Sequence, residues 1–247
     1  MTNKTNITSR AGMFTSSSIY KLMSNDRKGT GIGSTGLTYI DQKKREAKLG
    51  RQLQQEKSFR SAAWGTMLQH RVLNVLLNTS YIPVSDKREQ HDFLKWNGSA
   101  DFKTENSIGD IKCFELDNFT STHDAATKGY ETLKKECPDI FWQLISNAIL
   151  YKKEKIKLIL YVPYKEELSI IRDESEWQKI LTQEQFENKH FQSWLQSLSY
   201  MEDDELPYLV KGNHYKNLTS FQFDIHESDR IALTNRVILA TKILNEK

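Results

Sequence analysis

The 247-residue sequence contains few cysteines, no long apolar run and no strong excess of charge of one sign. Two cysteines are too few for a disulfide framework, so we expect a reducing, cytoplasmic compartment. No apolar stretch reaches the roughly 20 residues that a membrane helix needs, and the polar first ten residues lack the apolar core of a signal peptide. A net charge of +3 excludes a molecule that is basic over its whole surface.

Several common catalytic motifs are also missing. The glycine-rich stretch 29–36 lacks the Gly-Lys-Ser/Thr ending of a phosphate-binding loop. Cys113 has no His/Asp pattern around it, which favours a structural thiol over a nucleophile. His190, His214 and His226 do not have the spacing of metal ligands. These absences argue against nucleotide hydrolysis by a P-loop, thiol catalysis and a histidine-based metal site.

The composition is typical of one soluble globular domain. Hydrophobic residues make up 38% and charged residues 27% of the chain, which predicts a single domain over 1–247. The expected order of helix, two or three strands, helix and strand indicates an α/β fold with a central mixed β-sheet flanked by helices. We expect the core at about 58–165, an N-terminal segment at 10–57 and a mostly helical extension at 166–247.

Individual elements of this core follow from local pattern. The nearly continuous apolar run 157–162 predicts a central strand. Residues 93–101 and 108–114 are expected to pair as neighbouring strands. The polar stretch 118–129 predicts a loop over the site, and 140–151 predicts a strongly apolar helix.

The predicted strand at 108–114 contains candidate catalytic residues. Residues two apart on a strand point to the same face, so Asp110 and Lys112 project together while Ile111 faces the core. A tight turn at 104–107 can bring Asp101 alongside Asp110. Two carboxylates next to a cation are typical of a Mg²⁺ site for phosphodiester hydrolysis, in which Mn²⁺ can substitute.

A basic segment precedes this strand. Between residues 41 and 60, seven basic side chains accompany three acidic ones, whereas residues 202–205 are all acidic. The basic segment is either a track for DNA phosphates or a solvated helix face, and the sequence leaves both interpretations open.

Five motifs occur in a recognisable order. They are Arg-x-Gly-x-x-Thr-x-Ser at 10–17, Trp-Gly-x-x-x-Gln at 64–69, Gly-Ser-Ala-Asp at 98–101, Asp-Ile-Lys-Cys at 110–113 and Trp-Gln at 142–143. This order, over roughly residues 10–165, resembles the phage lambda exonuclease and YqaJ-type viral recombinase family of the PD-(D/E)xK nuclease superfamily. The resemblance implies that superfamily's core, with helical N- and C-terminal additions.

The resemblance also assigns roles at the metal site. It implies that Asp101, Asp110 and the backbone carbonyl of Ile111 bind Mg²⁺. Lys112 then activates the attacking water and stabilises the transition state. Gln143 positions the lysine, the water or a phosphate oxygen.

A second set of residues is implied to bind DNA. Arg10 and Ser17, with Thr15, hold a terminal 5′-phosphate, because a guanidinium, hydroxyls and helix-start amides form an anion site. Arg45 and Arg51 lie on the basic segment that contacts DNA. Members of this family digest duplex ends from 5′ to 3′ as toroidal homotrimers and act beside a single-strand annealing protein. We therefore expect a phage-type recombination nuclease in a bacterial cell or phage-infected host.

The sequence departs from the family at three positions. Gln69 stands where the family has Glu; it can ligate metal through its carbonyl oxygen but adds no charge. His70 is an alternative ligand, but adjacent helical positions diverge by about 100°, and a half-buried structural histidine is the preferred interpretation. Ala100 replaces a turn proline, and Phe102 replaces a glycine, where it could crowd the metal pocket or shift the hairpin.

Two alternatives to an exonuclease stay open. The same core serves structure-specific and restriction-like endonucleases, and with Gln69 the fold could persist as a weakened module that binds DNA or a partner. The positions of Arg10 and Ser17 distinguish the exonuclease from the endonuclease. If both residues line the metal cleft, an end-binding exonuclease is favoured; if they lie far from it, the endonuclease is favoured.

Overall fold

A computed structural model describes residues 10–53, 59–77, 79–84 and 87–246, without the side chains of 59–62. The loose N-terminus expected at residues 1–9 lies outside the described residues, as does Ser58, where the second helix was expected to begin. The elements below refer to this part of the chain.

The strands are β1 Phe14–Thr15, β2 Ile82–Pro83, β3 Glu89–Gln90, β4 Trp96–Gly98, β5 Phe102–Lys103, β6 Ser107–Lys112, β7 Lys155–Tyr161 and β8 Leu218–Asp224. The α-helices are α1 Ser34–Leu49, α2 Phe59–Arg71, α3 Leu116–Lys128, α4 Tyr130–Glu136, α5 Pro138–Leu150, α6 Leu168–Arg172, α7 Glu174–Ile180, α8 Gln183–Phe186, α9 Lys189–Leu198 and α10 Glu227–Asn245. Short 3₁₀ helices cover Ser16–Met23, Lys165–Glu167 and Asp203–Glu205, and a π-helical turn at Val72–Leu76 ends α2.

The main sheet has five strands in the order β2-β5-β6-β7-β8. β6 and β7 are parallel, with Asp110 opposite Leu158, and the other pairs are antiparallel. β7 lies between β6 and β8 and is largely buried, which confirms the predicted central strand. Apolar side chains fill both faces of β7 because helices cover the sheet on both sides.

A second sheet in the order β1-β4-β3 holds the N-terminal segment. β1 pairs in parallel with β4, with Phe14 opposite Trp96. The predicted pairing of 93–101 with 108–114 is therefore wrong, because 96–98 belong to this second sheet and β5 is the partner of β6. The chain changes sheets at residues 99–101, which places Asp101 at the junction.

Two apolar layers enclose the main sheet. On one face, α5 packs its buried side chains against Ile108, Leu158 and Leu160. On the other face, α2 and the C-terminal helices α6–α9 cover Ile111 and Ile159. Each large apolar side chain buried in this way contributes about 1.5–3 kcal/mol. The sheet is thereby fixed from both sides, and β6 is held against α5.

Two regions differ from the sequence-based expectation. Residues 116–128 form α3 rather than a loop, because Phe119, Thr122, Ala125 and Ala126 make one buried helical face despite the polar composition. The region expected to be a mostly helical extension also supplies β8, which pairs with β7 along its full length. None of the helices in the described ranges has the length and apolar character needed to cross a bilayer.

Candidate active site and anion-binding cavity

A tight turn aligns Asp101 with β6, as the sequence predicted. The N–H of Thr104 donates to the carbonyl of Ser107 over 2.9 Å, and the N–H of Asp101 donates to the carbonyl of Gly109 over 3.0 Å. The N–H of Ile111 then donates to Oδ2 of Asp101 over 2.7 Å. The N–H and carbonyl of one strand residue point to the same neighbour, so the Ile111 carbonyl faces the edge of β6 that the Asp101 carboxylate covers.

Asp110 and Lys112 project from the same face of β6. The ammonium nitrogen of Lys112 lies 3.5 Å from Oδ2 of Asp110, whose side chain is 1% exposed. Oδ1 of Asp110 accepts a hydrogen bond of 3.2 Å from Asn147, whereas Oδ2 has only the long approach of Lys112 among the described residues. A buried carboxylate oxygen whose nearest donor lies this far away has spare acceptor capacity, so Oδ2 can also bind a cation.

The two carboxylates influence each other electrostatically. Burial and, after it, the nearby charge of Asp110 raise the pKa of Asp101 to about 7, against the opposing charge of Lys112. Burial also raises the pKa of Asp110, and the charge of Lys112 counteracts part of that rise. These shifts show two acids held close together in a dry environment, where a divalent cation stabilises their charged forms.

The donor set therefore fits Mg²⁺. Asp101 and Asp110 offer hard carboxylate oxygens, and the Ile111 carbonyl faces the same edge. Gln69 projects from α2 and forms a side-chain hydrogen bond with Asp101, which lowers that pKa slightly against the effects of burial and charge. His70, the next residue, lines a separate cavity between α2 and α9. Of the two neighbours on α2, Gln69 is the one that reaches the site.

Two amide side chains on α5 connect this site to its surroundings. Lys112 donates a hydrogen bond of 3.0 Å to Oε1 of Gln143. One turn later, Nδ2 of Asn147 lies 3.2 Å from both Oδ1 of Asp110 and the carbonyl of Ser99. The sequence reasoning missed Asn147, although an amide four residues after Gln143 in an apolar helix was a usable signal.

Gln143 also lines a cavity of about 110 Å³ next to the carboxylates. Arg10, Thr15 and Ser17 contribute to its wall, as predicted from the N-terminal motif, and Ser99 completes it beside Asp101. Thr15 is fixed by a hydrogen bond of 3.0 Å from its N–H to the hydroxyl of Tyr39. The structure thus brings Arg10, Thr15 and Ser17 to a cavity that shares Gln143 with the carboxylate site.

A second arginine shares this cavity. Arg88, between β2 and β3, lines it together with Arg10. Burial lowers the pKa of Arg10, and the like charge of Arg88 lowers it further. Two guanidinium groups this close attract an anion strongly. No sequence motif identifies Arg88, because Arg88 and Arg10 come together only when β4 pairs with β1.

Buried hydrogen bonds fix the N-terminal wall of the cavity to α5. The hydroxyl of Ser146 accepts from the indole N–H of Trp96 over 2.8 Å and lies 2.7 Å from the hydroxyl of Ser16. This links β4, the 3₁₀ helix and α5 in one network. Ser17 follows Ser16 directly, so its position depends on that network.

The basic face expected on α1 is only partly exposed. Lys43 and Glu46 are buried and form an ion pair of 2.8 Å beside a second cavity that Arg10 and Ser17 also line. Arg45 and Arg51 are exposed and lie outside the lining of both cavities. The structure therefore does not bring Arg45 and Arg51 together with the phosphate-binding residues.

Phe102 does not crowd the two carboxylates. Its side chain is fully buried and packs 5.2 Å from the ring of Tyr81 on the α2 side of the sheet. The opposite residue in the register is Gly109, where a Cβ would lie 2.2 Å from Cζ of Phe102. The glycine accommodates the aromatic ring, so the hairpin keeps its register. Ala100 is also fully buried and leaves the hydrogen bonds of Asp101 in place.

A further group of candidate metal ligands lies elsewhere. His226, Glu131 and Asp229 have ligand atoms within 4.8 Å of one another, a proximity that sequence spacing did not reveal. Asp229 already accepts hydrogen bonds of 2.6 Å from Lys134 and 2.8 Å from the hydroxyl of Tyr130. These donors satisfy its charge, so the group is best explained as the anchor of the α10 N-terminus.

Solved exonuclease structures share this architecture. The alkaline exonuclease LHK-Exo from Laribacter hongkongensis matches with a TM-score of 0.59 and 12% identity, over 95% of this chain and 89% of that chain. A phage-related exonuclease from Haemophilus somnus 129PT matches with a TM-score of 0.62 and 15% identity, over 94% and 93% respectively. LHK-Exo has also been solved in complex with dAMP. No protein-family model and no curated protein matches the sequence. The chain therefore has the fold of these exonuclease structures, which confirms the α/β fold with a central mixed sheet flanked by helices that the sequence predicted.

Proposed function

We propose that the chain is a Mg²⁺-dependent DNA exonuclease that digests duplex ends with a 5′-phosphate in the 5′→3′ direction and serves phage-type recombination. One observation carries this proposal: Gln143 lines the anion cavity and accepts a hydrogen bond from Lys112 beside the carboxylates. A cavity of about 110 Å³ beside the carboxylates is large enough for a terminal phosphate. An internal phosphodiester continues into nucleotides on both sides, so the cavity favours an exonuclease over an endonuclease.

The residues of the site fit hydrolysis of the next phosphodiester. Asp101, Asp110 and the Ile111 carbonyl would hold Mg²⁺, which neutralises charge on the phosphate and acidifies water. Lys112 orients the water and stabilises the charge that develops on the phosphate oxygens. The water oxygen bonds to phosphorus as the bond to O3′ breaks, and the departing O3′ takes up a proton. The new DNA end carries a 5′-phosphate, which can occupy the cavity for the next cycle.

The known structures support the same substrate class. Both structural relatives are exonucleases, and one was solved with a nucleoside monophosphate, the class of product that this reaction releases. The homotrimer and the single-strand annealing partner that the resemblance implies remain predictions for this chain.

A digestion assay tests the proposal. Linear duplex with 5′-phosphate ends is incubated with Mg²⁺ or Mn²⁺, beside a closed circular duplex and a Lys112→Ala variant. We expect nucleoside monophosphates from the linear DNA only, with label at the 5′ end released before label at the 3′ end. EDTA and Lys112→Ala should abolish release. Cleavage of the circle would support an endonuclease, and inert wild-type protein that still binds DNA would support a binding module.

A further inference from the structure

The hairpin of β3 and β4 presents an aromatic side chain to solvent. Phe93 at its tip is 90% exposed, the highest value among the large apolar side chains of the described ranges. Its neighbour Leu94 packs against the core. A single exposed apolar residue is common on protein surfaces, so the case for a role depends on what surrounds it.

The tip is rigid. The N–H of His91 donates to the carbonyl of Trp96 over 2.9 Å, and the N–H of Phe93 lies 3.3 Å from Nδ1 of His91. The rings of His91 and Trp96 stack with centroids 5.7 Å apart and planes at 9°. Trp96 is fully buried. The hairpin therefore holds Phe93 outward on an ordered support.

Basic side chains lie beside this tip. Lys95, two residues after Phe93, lines a cavity of about 630 Å³ together with Lys44 and Lys48 of α1, with Glu246 also in the lining. The N–H of Phe14 donates to the carbonyl of Lys95 over 2.7 Å, which fixes this part of the hairpin to β1. The other end of β4 runs into Gly98 at the anion cavity.

We propose that Phe93 stacks on a nucleobase of the bound DNA while Lys44, Lys48 and Lys95 contact the adjacent phosphates. The six steps along the chain from Phe93 to Ser99 span at most about 20 Å. This is less than one helical turn of DNA, about 34 Å, so the tip can reach the same DNA end whose phosphate occupies the cavity. Aromatic stacking is the usual way to hold an unpaired base, and digestion of a duplex end produces unpaired bases. The inference rests on the proposed function for the position of the DNA end.

Binding is measured by fluorescence anisotropy with a 5′-phosphorylated duplex that has a single-stranded 3′ overhang, in a Lys112→Ala background that cannot cleave it. We expect Phe93→Ala to raise Kd about tenfold and Phe93→Trp to keep it near the parent value. Tyr200→Ala is the matched control, since Tyr200 is 80% exposed on the distant α9 side. Lys95→Gln should lower the slope of log Kd against log salt by about one, whereas Phe93→Ala should leave the slope unchanged.

Two results would overturn the inference. One is a Kd for Phe93→Ala within twofold of the parent. The other is a change in molar mass by light scattering without a change in Kd, which would assign Phe93 to a contact between protein chains. In the protein that retains Lys112, we expect Phe93→Ala to raise the KM for DNA and leave kcat unchanged. If that protein does not digest DNA at all, the proposed function fails while the binding measurement still decides on Phe93.

Discussion

Lys112 donates a hydrogen bond of 3.0 Å to the side-chain oxygen of Gln143 and so links β6 to the wall of the anion cavity. An ammonium group can only donate, so the amide oxygen of Gln143 must face Lys112. The amide nitrogen then points away from Lys112, where its two N–H donors are available to an anion. One side chain thereby serves the carboxylate site and the cavity together.

Substitution of Gln143 should separate these two contributions. Gln143→Ala frees Lys112 from its partner, and misplacement of such a group by about 1 Å can lower kcat about 100-fold. Gln143→Glu keeps an acceptor for Lys112 but adds negative charge to the cavity, so we expect a raised KM for 5′-phosphorylated ends and a smaller fall in kcat. Steady-state kinetics on linear duplex measure both values. Equal effects of the two variants on KM and kcat would contradict the dual role.

Gln69 on α2 brings an uncharged side chain to Asp101. Gln69→Glu adds a third carboxylate beside Asp101 and Asp110, so we expect a lower Tm without metal and a larger rise in Tm when Mg²⁺ is added. The Mg²⁺ concentration for half-maximal digestion should fall roughly tenfold, because affinity follows the number of charged ligands. Activity at saturating Mg²⁺ should match or exceed that of wild type. Gln69→Leu is the control; an identical Mg²⁺ dependence for wild type and Gln69→Glu would place Gln69 outside the metal site.

The paired arginines should determine the preference for the DNA end. We expect wild type to digest 5′-phosphorylated ends faster than 5′-hydroxyl ends. Arg10→Gln and Arg88→Gln should each reduce that preference roughly tenfold or more, since a charge-assisted hydrogen bond contributes about 1.5–3 kcal/mol. Arg45→Gln, on an exposed side chain outside the cavity, should keep the preference. The ratio of kcat/KM for the two ends is the readout, and a wild-type ratio near one would refute the assignment of the cavity.

The sequence predicted the parts of the fold that depend on local pattern. The apolar run of β7, the turn before β6 and the alternation that separates Asp110 from Ile111 all specify structure within a few residues. The motif order also predicted that Arg10 and Ser17 lie near the carboxylates, and both line the cavity that Gln143 shares with Lys112.

The parts that sequence reasoning missed depend on distant contacts. Residues 116–128 look polar, and only the packing of Phe119 and Ala125 against the core shows why they are helical. The change of sheets at 99–101 follows from the parallel pairing of β4 with β1, which lie about 80 residues apart. Arg88 becomes visible as a site residue only after this pairing, so no local pattern could identify it.

The last prediction concerns the support of α2. Arg71, two residues after Gln69, donates to Glu167 over 3.2 Å and to the hydroxyl of Tyr161 at the end of β7. Burial by itself would raise the pKa of Glu167, but hydrogen bonds from the Tyr164 N–H, Asn217 and Arg71 outweigh it and lower that pKa below the ordinary 4.5.

A depressed acid pKa stabilises the fold above the unfolded-state value, and this contribution is lost as the pH falls through the folded-state value. We therefore expect Glu167→Gln to lower the free energy of unfolding at pH 7 by about 1–3 kcal/mol, or roughly 2–4 °C in Tm for each kcal/mol. The difference in Tm from wild type should shrink as the pH is lowered below about 4.5. Glu166→Gln, at an exposed neighbouring position, should leave Tm nearly unchanged at both pH values. If the Tm of Glu167→Gln stays equally far below that of wild type at low pH, then packing, rather than the charge on Glu167, holds α2 against the sheet.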